Sequence, residues 1–135
     1  MDFTKIFATV SRQAQIFYSR ELINEDIQYG QMMCIMCVCE RPGLLQDEIA
    51  AEIMVDKSTV ARVLIQLLET GYVTRQVNKS DRRKNHIYPT EKALLLNTSL
   101  LEIKEKWHNQ LTNNMTEMEL IIFMQMLEKI DLMPL

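Results

Sequence analysis

Lys79, Arg82, Arg83 and Lys84 place four cations within six consecutive positions, and a single acid, Asp81, stands among them. Such a cluster suits a polyanion. Arginine offers a planar fork of donors that matches phosphate, and an arginine inserted into a narrow minor groove meets strongly negative potential. Asp81 and Arg83 are two positions apart, so in an extended chain they point to the same side. There the carboxylate can hold the guanidinium in one orientation. A solvated charged turn is the competing reading, and it is the usual fate of charge clusters.

A second set of polar residues lies just upstream. Lys57, Ser58, Thr59, Arg62 and Gln66 fall on one side of a helical pattern. Val60, Val63, Leu64, Leu67 and Leu68 occupy the other. All five polar side chains donate hydrogen bonds, and Ser, Thr and Gln also accept, which fits phosphate oxygens and base edges in a major groove. The helix start adds free N–H groups and a positive dipole end for phosphate. An ordinary solvated helix face explains this set equally well when it is taken alone. Its immediate succession by the basic cluster favours DNA.

The elements around these residues follow from apolar spacing and breakers. Phe3, Ile6, Phe7, Val10, Ala14 and Phe17 predict a helix over 2–20. Residues 24–30 read as a loop. The segment 31–40, QMMCIMCVCE, is apolar nearly throughout and predicts a buried helix stopped by Arg-Pro-Gly at 41–43. Two short helices follow. The first puts Leu45, Ile49 and Ile53 on one face, and the second, capped by Asp56, runs to Gly71. Only Met54, Val55 and Asp56 separate them, which gives a helix-turn-helix shape. YVTRQV at 72–77 and NHIYP at 85–89 read as two strands of a hairpin, with the basic cluster at its tip. Thr90 can cap a helix over about 91–113. A capping box, Thr116-x-x-Glu119, opens a last helix carrying Leu120, Phe123, Met124, Leu127 and Ile130.

Residues 44–93 closely resemble the winged helix-turn-helix core of MarR-type transcriptional regulators. The likeness rests on Q-x-E-I-A at 46–50, D-K-S-T-V-x-R at 56–62, L-L-E-x-G-Y-V-x-R at 67–75 and D-x-R-x-x-x-I at 81–87, in the family's order and spacing. The flanking helix pattern extends it over nearly the whole chain. The resemblance implies a mainly α fold with a small β-hairpin wing. It makes 1–135 a single domain, with a DNA-binding lobe at 31–90 and dimerisation helices at 1–30 and 91–135. It implies a homodimer on a pseudo-palindromic operator, with each recognition helix in a major groove and each wing arginine in a minor groove. Carried onto this chain, Arg83 is the wing arginine and Asp81 its orienting partner. Ser58, Thr59 and Arg62 fall on groove-facing positions, and Arg75 braces the wing. A small aromatic or lipophilic effector in a cleft between the lobe and the dimer helices is also implied, and its binding would release a repressor from its operator. The chain departs from the pattern at Leu45, where the family usually has a capping Thr or Ser, and at Pro89 and Ala93, where it usually has Leu and Gly.

Composition agrees with this reading. The 135 residues include three Gly and three Pro, little material for the turns of a sandwich or barrel, and 47% are hydrophobic, enough for a core. The net charge of −3 hides an uneven distribution: residues 44–92 carry eight Lys/Arg against seven Asp/Glu, and the remainder seven against eleven. A local positive field is therefore compatible with an acidic total. No run of 18 uncharged apolar residues and no signal-peptide pattern is present, so a cytoplasmic protein without a membrane partner is expected.

Cys34, Cys37 and Cys39 invite a thiol- or metal-responsive switch, since soft metals favour thiolates. Their apolar surroundings favour buried core instead. The ten Met residues read first as core filler, and second as a pliable pocket or dimer surface. His86 and His108 lack metal-ligand spacing. No phosphate loop, nucleophile elbow or paired catalytic carboxylates suggest an enzyme. No cofactor is expected. A winged-helix module used only for protein contact is the remaining alternative.

Overall fold

A computed structural model describes residues 1–133. Residues 134 and 135, the end of the stretch assigned to dimerisation, lie outside it. The elements run α1 (Phe3–Glu21), α2 (Tyr29–Glu40), β1 (Leu44–Leu45), α3 (Gln46–Ile53), α4 (Lys57–Glu69), β2 (Val73–Val77), β3 (Asn85–Pro89), α5 (Glu91–Thr112) and α6 (Glu117–Glu128).

The centre is α2. Met32, Cys34, Ile35, Cys37 and Val38 are all buried, so this helix is covered nearly all round, as its lack of a polar face requires. It packs against α1, α3, α4, α5 and β3. It starts at Tyr29, inside the stretch expected to be loop, because the Gln31 side chain turns back to accept the Gln28 N–H at 2.8 Å. That places Tyr29 against Tyr18, whose ring is also near Phe17 and Trp107, in a cluster that joins α1, α2 and α5.

The tight link between α3 and α4 is made by Met54 at φ 57°, a left-handed conformation that costs a non-glycine residue about 1–2 kcal/mol. The expected cap at Asp56 is present, with its carboxylate accepting the Thr59 N–H at 3.0 Å. Gly71, at φ 80°, ends α4 as expected. The Thr90 hydroxyl accepts the Ala93 N–H at 3.3 Å and donates to the Gly71 carbonyl at 2.6 Å, tying the exit of the wing to the end of α4. Leu45 at the start of α3 has no side-chain acceptor. Only the reciprocal half of a capping box forms, from Leu45 N–H to Glu48 Oε1 at 2.9 Å.

The expected two-stranded hairpin is a three-stranded antiparallel sheet in the order β1-β3-β2. Leu44 pairs with Ile87, and Ile87 with Arg75. Two residues carry no alternation, so β1 had no local signature; it exists because β3 offers it a second edge. Gly43 makes the approach at φ 89°, and its N–H donates to the Ile87 carbonyl at 2.8 Å. The last helix stops at Glu128 rather than continuing, so Ile130 lies beyond it and is exposed. None of the residues in α6 is buried.

Cys34 and Cys37 belong to the core. Burial pushes the Cys34 thiol up to about 12, and Cys37 beside it adds to the shift. Burial, with the carboxylates of Glu52 and Glu40, pushes Cys37 up to about 11. Burial raises Cys39 as well. These shifts oppose the thiolate that a redox or soft-metal switch requires.

At about pH 8, where an ordinary thiol is partly ionised, Cys34 and Cys37 in the folded protein are therefore expected to react with iodoacetamide far more slowly than in urea. Equal rates by mass spectrometry would contradict the burial. Leu64→Ala, which removes a fully buried side chain of α4, is expected to lower stability by about 2–5 kcal/mol in urea denaturation at fixed protein concentration.

Candidate nucleic-acid interface

Two parts of the surface present the predicted polar residues. The first is the outer side of α4. Val60, Leu64 and Leu67 are buried, which turns Ser58 and Arg62 outward. Asp56 organises the start of this helix. It accepts the Ser58 hydroxyl at 2.5 Å, the Thr59 hydroxyl at 2.8 Å and the Thr59 N–H. These bonds hold its carboxyl down at about 2, led by the one from Ser58. Ser58 and Thr59 thus give their hydroxyl protons to Asp56 and keep lone pairs for an incoming donor. Sequence reading treated them as donors and acceptors alike. Arg62 lies one turn on, with a terminal nitrogen 3.4 Å from Thr59 Oγ1.

The other two predicted residues of α4 are placed differently. Lys57 is exposed, with its ammonium 3.4 Å from Asp47. Gln66 is turned toward the start of α2, where it accepts from Gln31 Nε2 at 3.4 Å. Ile65, in the run Val63-Leu64-Ile65, is 53% exposed although its immediate neighbour Leu64 is buried.

The second part is the wing tip. Asn78 Oδ1 accepts the Ser80 and Asp81 N–H groups at 2.8 and 3.0 Å, and the Lys84 N–H returns to the Asp81 carbonyl at 3.0 Å. Asp81 then accepts three bonds from Arg83: from its backbone N–H at 3.0 Å, from Nε at 3.2 Å and from a terminal nitrogen at 3.4 Å. The Asp81–Arg83 pairing expected from sequence is present, but its cause differs. The segment is a turn, not an extended strand, and the turn brings the two together. Hydrogen bonds from Arg83 hold the Asp81 carboxyl below the usual carboxylate range. The Arg83 side chain remains 92% exposed.

Lys79, Arg82 and Lys84 are exposed around it, and no carboxylate among the described residues forms an ion pair with them. Arg75 shares the β2 face with buried Val73, but it is exposed and has no ion pair among the described residues.

A cleft of about 740 Å³ opens between α2 and α5, at the junction of the lobe with the terminal helices. Met33, Met36, Trp107 and Lys104 line it, as does Asn97, whose buried amide oxygen has no hydrogen-bond partner among the described residues. No helix among the described residues is long and apolar enough to cross a membrane.

Comparison with known proteins agrees with this geometry. Residues 27–84 match the MarR family. The HTH-type transcriptional regulator BilQ of Clostridium symbiosum is 24% identical over 125 residues, 92% of this chain and 87% of BilQ. Over the curated relatives, the matched stretch spans between 39% and 87% of the relative's own length. Among solved structures, a MarR protein from Peptoclostridium difficile superposes with a TM-score of 0.91 at 26% identity, covering 96% of this chain and 84% of that one. A MarR family regulator from Listeria monocytogenes, crystallised with a 26mer DNA, shares the fold with a TM-score of 0.90 at 21% identity, covering 96% and 86%. A MarR-family match over the helix-turn-helix and wing, inside a fold shared along nearly the whole length, gives this chain the winged helix-turn-helix architecture of the MarR-type transcriptional regulators it resembles.

Proposed function

We propose that the protein is a homodimeric repressor that binds a pseudo-palindromic operator through α4 and the wing. The observation that carries this reading is the arginine clasp. Arg83 is held by Asp81 through its backbone N–H and its guanidinium and is still 92% exposed, at the tip of a sheet anchored in the core. A guanidinium restrained in this way loses little freedom on entering a minor groove. Arg62, Ser58 and Thr59 then face the adjacent major groove, with Lys79, Arg82 and Lys84 on backbone phosphates. That a MarR family regulator with the same fold was crystallised with a 26mer DNA supports a DNA-binding reading.

A second copy of this chain is the partner that the terminal helices require. Phe3, Ile6 and Phe7 on α1 and Ile121, Ile122 and Phe123 on α6 are all at least 42% exposed, and large apolar side chains left uncovered in this number mark an interaction surface. A two-fold interface covers both helices at once. It also sets two copies of α4 about one DNA turn, or a multiple of it, apart.

The cleft beside Trp107 is the proposed effector site. An aromatic or lipophilic compound carrying one donor would fill the apolar walls and satisfy the Asn97 oxygen. Because the cleft lies where the lobe meets the terminal helices, an occupant would bias the spacing of the two wings and so the fit to both half-sites.

Arg83→Ala is expected to weaken operator binding about tenfold or more and to reduce its salt dependence, without shifting sequence preference much. Arg62→Ala is expected to cost about 1–3 kcal/mol and relax preference at one base pair. Fluorescence anisotropy at several salt concentrations measures both, and wild-type affinity in both variants would remove the site assignment. Light scattering at micromolar protein is expected to give a dimer; a monomer would contradict the assembly.

A further inference from the structure

The wing tip is joined to the body of the protein by a polar chain that passes through His86. His86 Nδ1 lies 2.8 Å from the Gly43 carbonyl oxygen, at the entry to β1. His86 Nε2 lies 2.9 Å from Asn78 Nδ2, at the base of the tip. A carbonyl only accepts, so Nδ1 carries the proton there. The Asn78 amide cannot be reversed, because its oxygen already accepts the Ser80 and Asp81 N–H groups. Nδ2 therefore donates, and Nε2 must be bare. Only one protonation state satisfies every partner, the neutral imidazole with its hydrogen on Nδ1.

The far end of this chain is the arginine clasp. Asn78 fixes the Asp81 backbone, and Asp81 holds Arg83. We propose that Asn78 and His86 are positioning residues for Arg83, and that the wing is set for DNA only while His86 is neutral. This rests on the reading that Arg83 enters DNA. A proton on Nε2 would put two donors face to face at the Asn78 contact. Relief by turning the amide would cost the two backbone bonds that shape the tip.

Few other groups respond over the same range. His86 faces Gln76 on β2 and Leu45 on β1, and neither titrates. Beyond β1, Glu48 is bound to the Leu45 N–H and Asp47 is paired with Lys57. In the tip itself, the neighbouring charged groups are Lys79, Arg82 and Lys84, and hydrogen bonds from Arg83 hold the Asp81 carboxyl below its usual range. The only other imidazole in the chain is His108, which lines the cleft between α2 and α5.

The sign of the pH effect separates this idea from simple charge. An imidazolium formed near DNA adds to the positive field and would tighten binding as pH falls. The positioning role predicts the reverse. Anisotropy would be measured with a duplex selected by the wild-type protein from a random library at about pH 8, then repeated at about pH 5.5, below the range where an ordinary imidazole gains its proton.

The expected loss for the wild type is about three- to tenfold, the scale of one hydrogen bond. Asn78→Ala is expected to show a loss of that size already at the higher pH, and no further loss on acidification. Wild-type binding that holds or tightens at the lower pH, or an undiminished pH response in Asn78→Ala, would overturn the proposal.

A measurement without DNA keeps it apart from the reading it rests on. The ¹⁵N–¹H relaxation of Arg83 Nε in the free protein is expected to report an ordered side chain that loosens in Asn78→Ala. Unchanged relaxation would overturn the relay. If Arg83→Ala instead binds DNA as the wild type does, the groove contact fails while the relaxation result still decides the relay.

Discussion

The burial of α2 is the constraint on which the rest of the structure depends. A helix of Met, Cys, Ile and Val without a charged residue before Glu40 has no face to give to water, so every neighbouring element is drawn around it. Ile35 and Val38 are fully enclosed. The enclosing elements are α1, α3, α4, α5 and β3. One apolar helix thus sets the distance between α4 with the wing and the terminal helices. The cleft beside Trp107 lies in the same region, where this packing is incomplete.

The exposed parts are ordered by a different kind of force. Neither the start of α4 nor the wing tip buries apolar area. In both, one aspartate gathers several donors, Asp56 from Ser58 and Thr59, Asp81 from Arg83. Both carboxyls are held below their ordinary range by these bonds. Exposed hydrogen bonds contribute little to stability, but they restrict side chains that would otherwise move freely, and restriction before binding is what contact with a groove rewards. The two aspartates thus shape the hydroxyl and guanidinium groups beside them.

The cysteines show why motif spacing is a weaker guide than environment. Cys34 and Cys37 stand at a spacing that suits a shared ligand, yet their thiols are pushed up to about 12 and about 11 by the packing around α2. Burial in the core, which the spacing does not reveal, is what works against their ionisation.

Much of the fold was legible because its signals are local. The apolar period of α1 and α4, the cap at Asp56, the left-handed stop at Gly71 and the capping box at Thr116 each act within one helical turn. The cluster at 79–84 was visible for the same reason, as composition alone. Other features depend on residues far apart in the chain. Strand β1 exists only because Ile87 is there to pair with Leu44. Gln66 turns toward Gln31, and His86 bridges Gly43 to Asn78, because the tertiary fold brings those groups within reach. Sequence by itself determined which segments must be helices and which faces are apolar, since periodicity and capping are short-range. Only the tertiary structure decided which polar atoms meet, because a hydrogen bond needs its partners within about 3 Å and the chain does not record that separation.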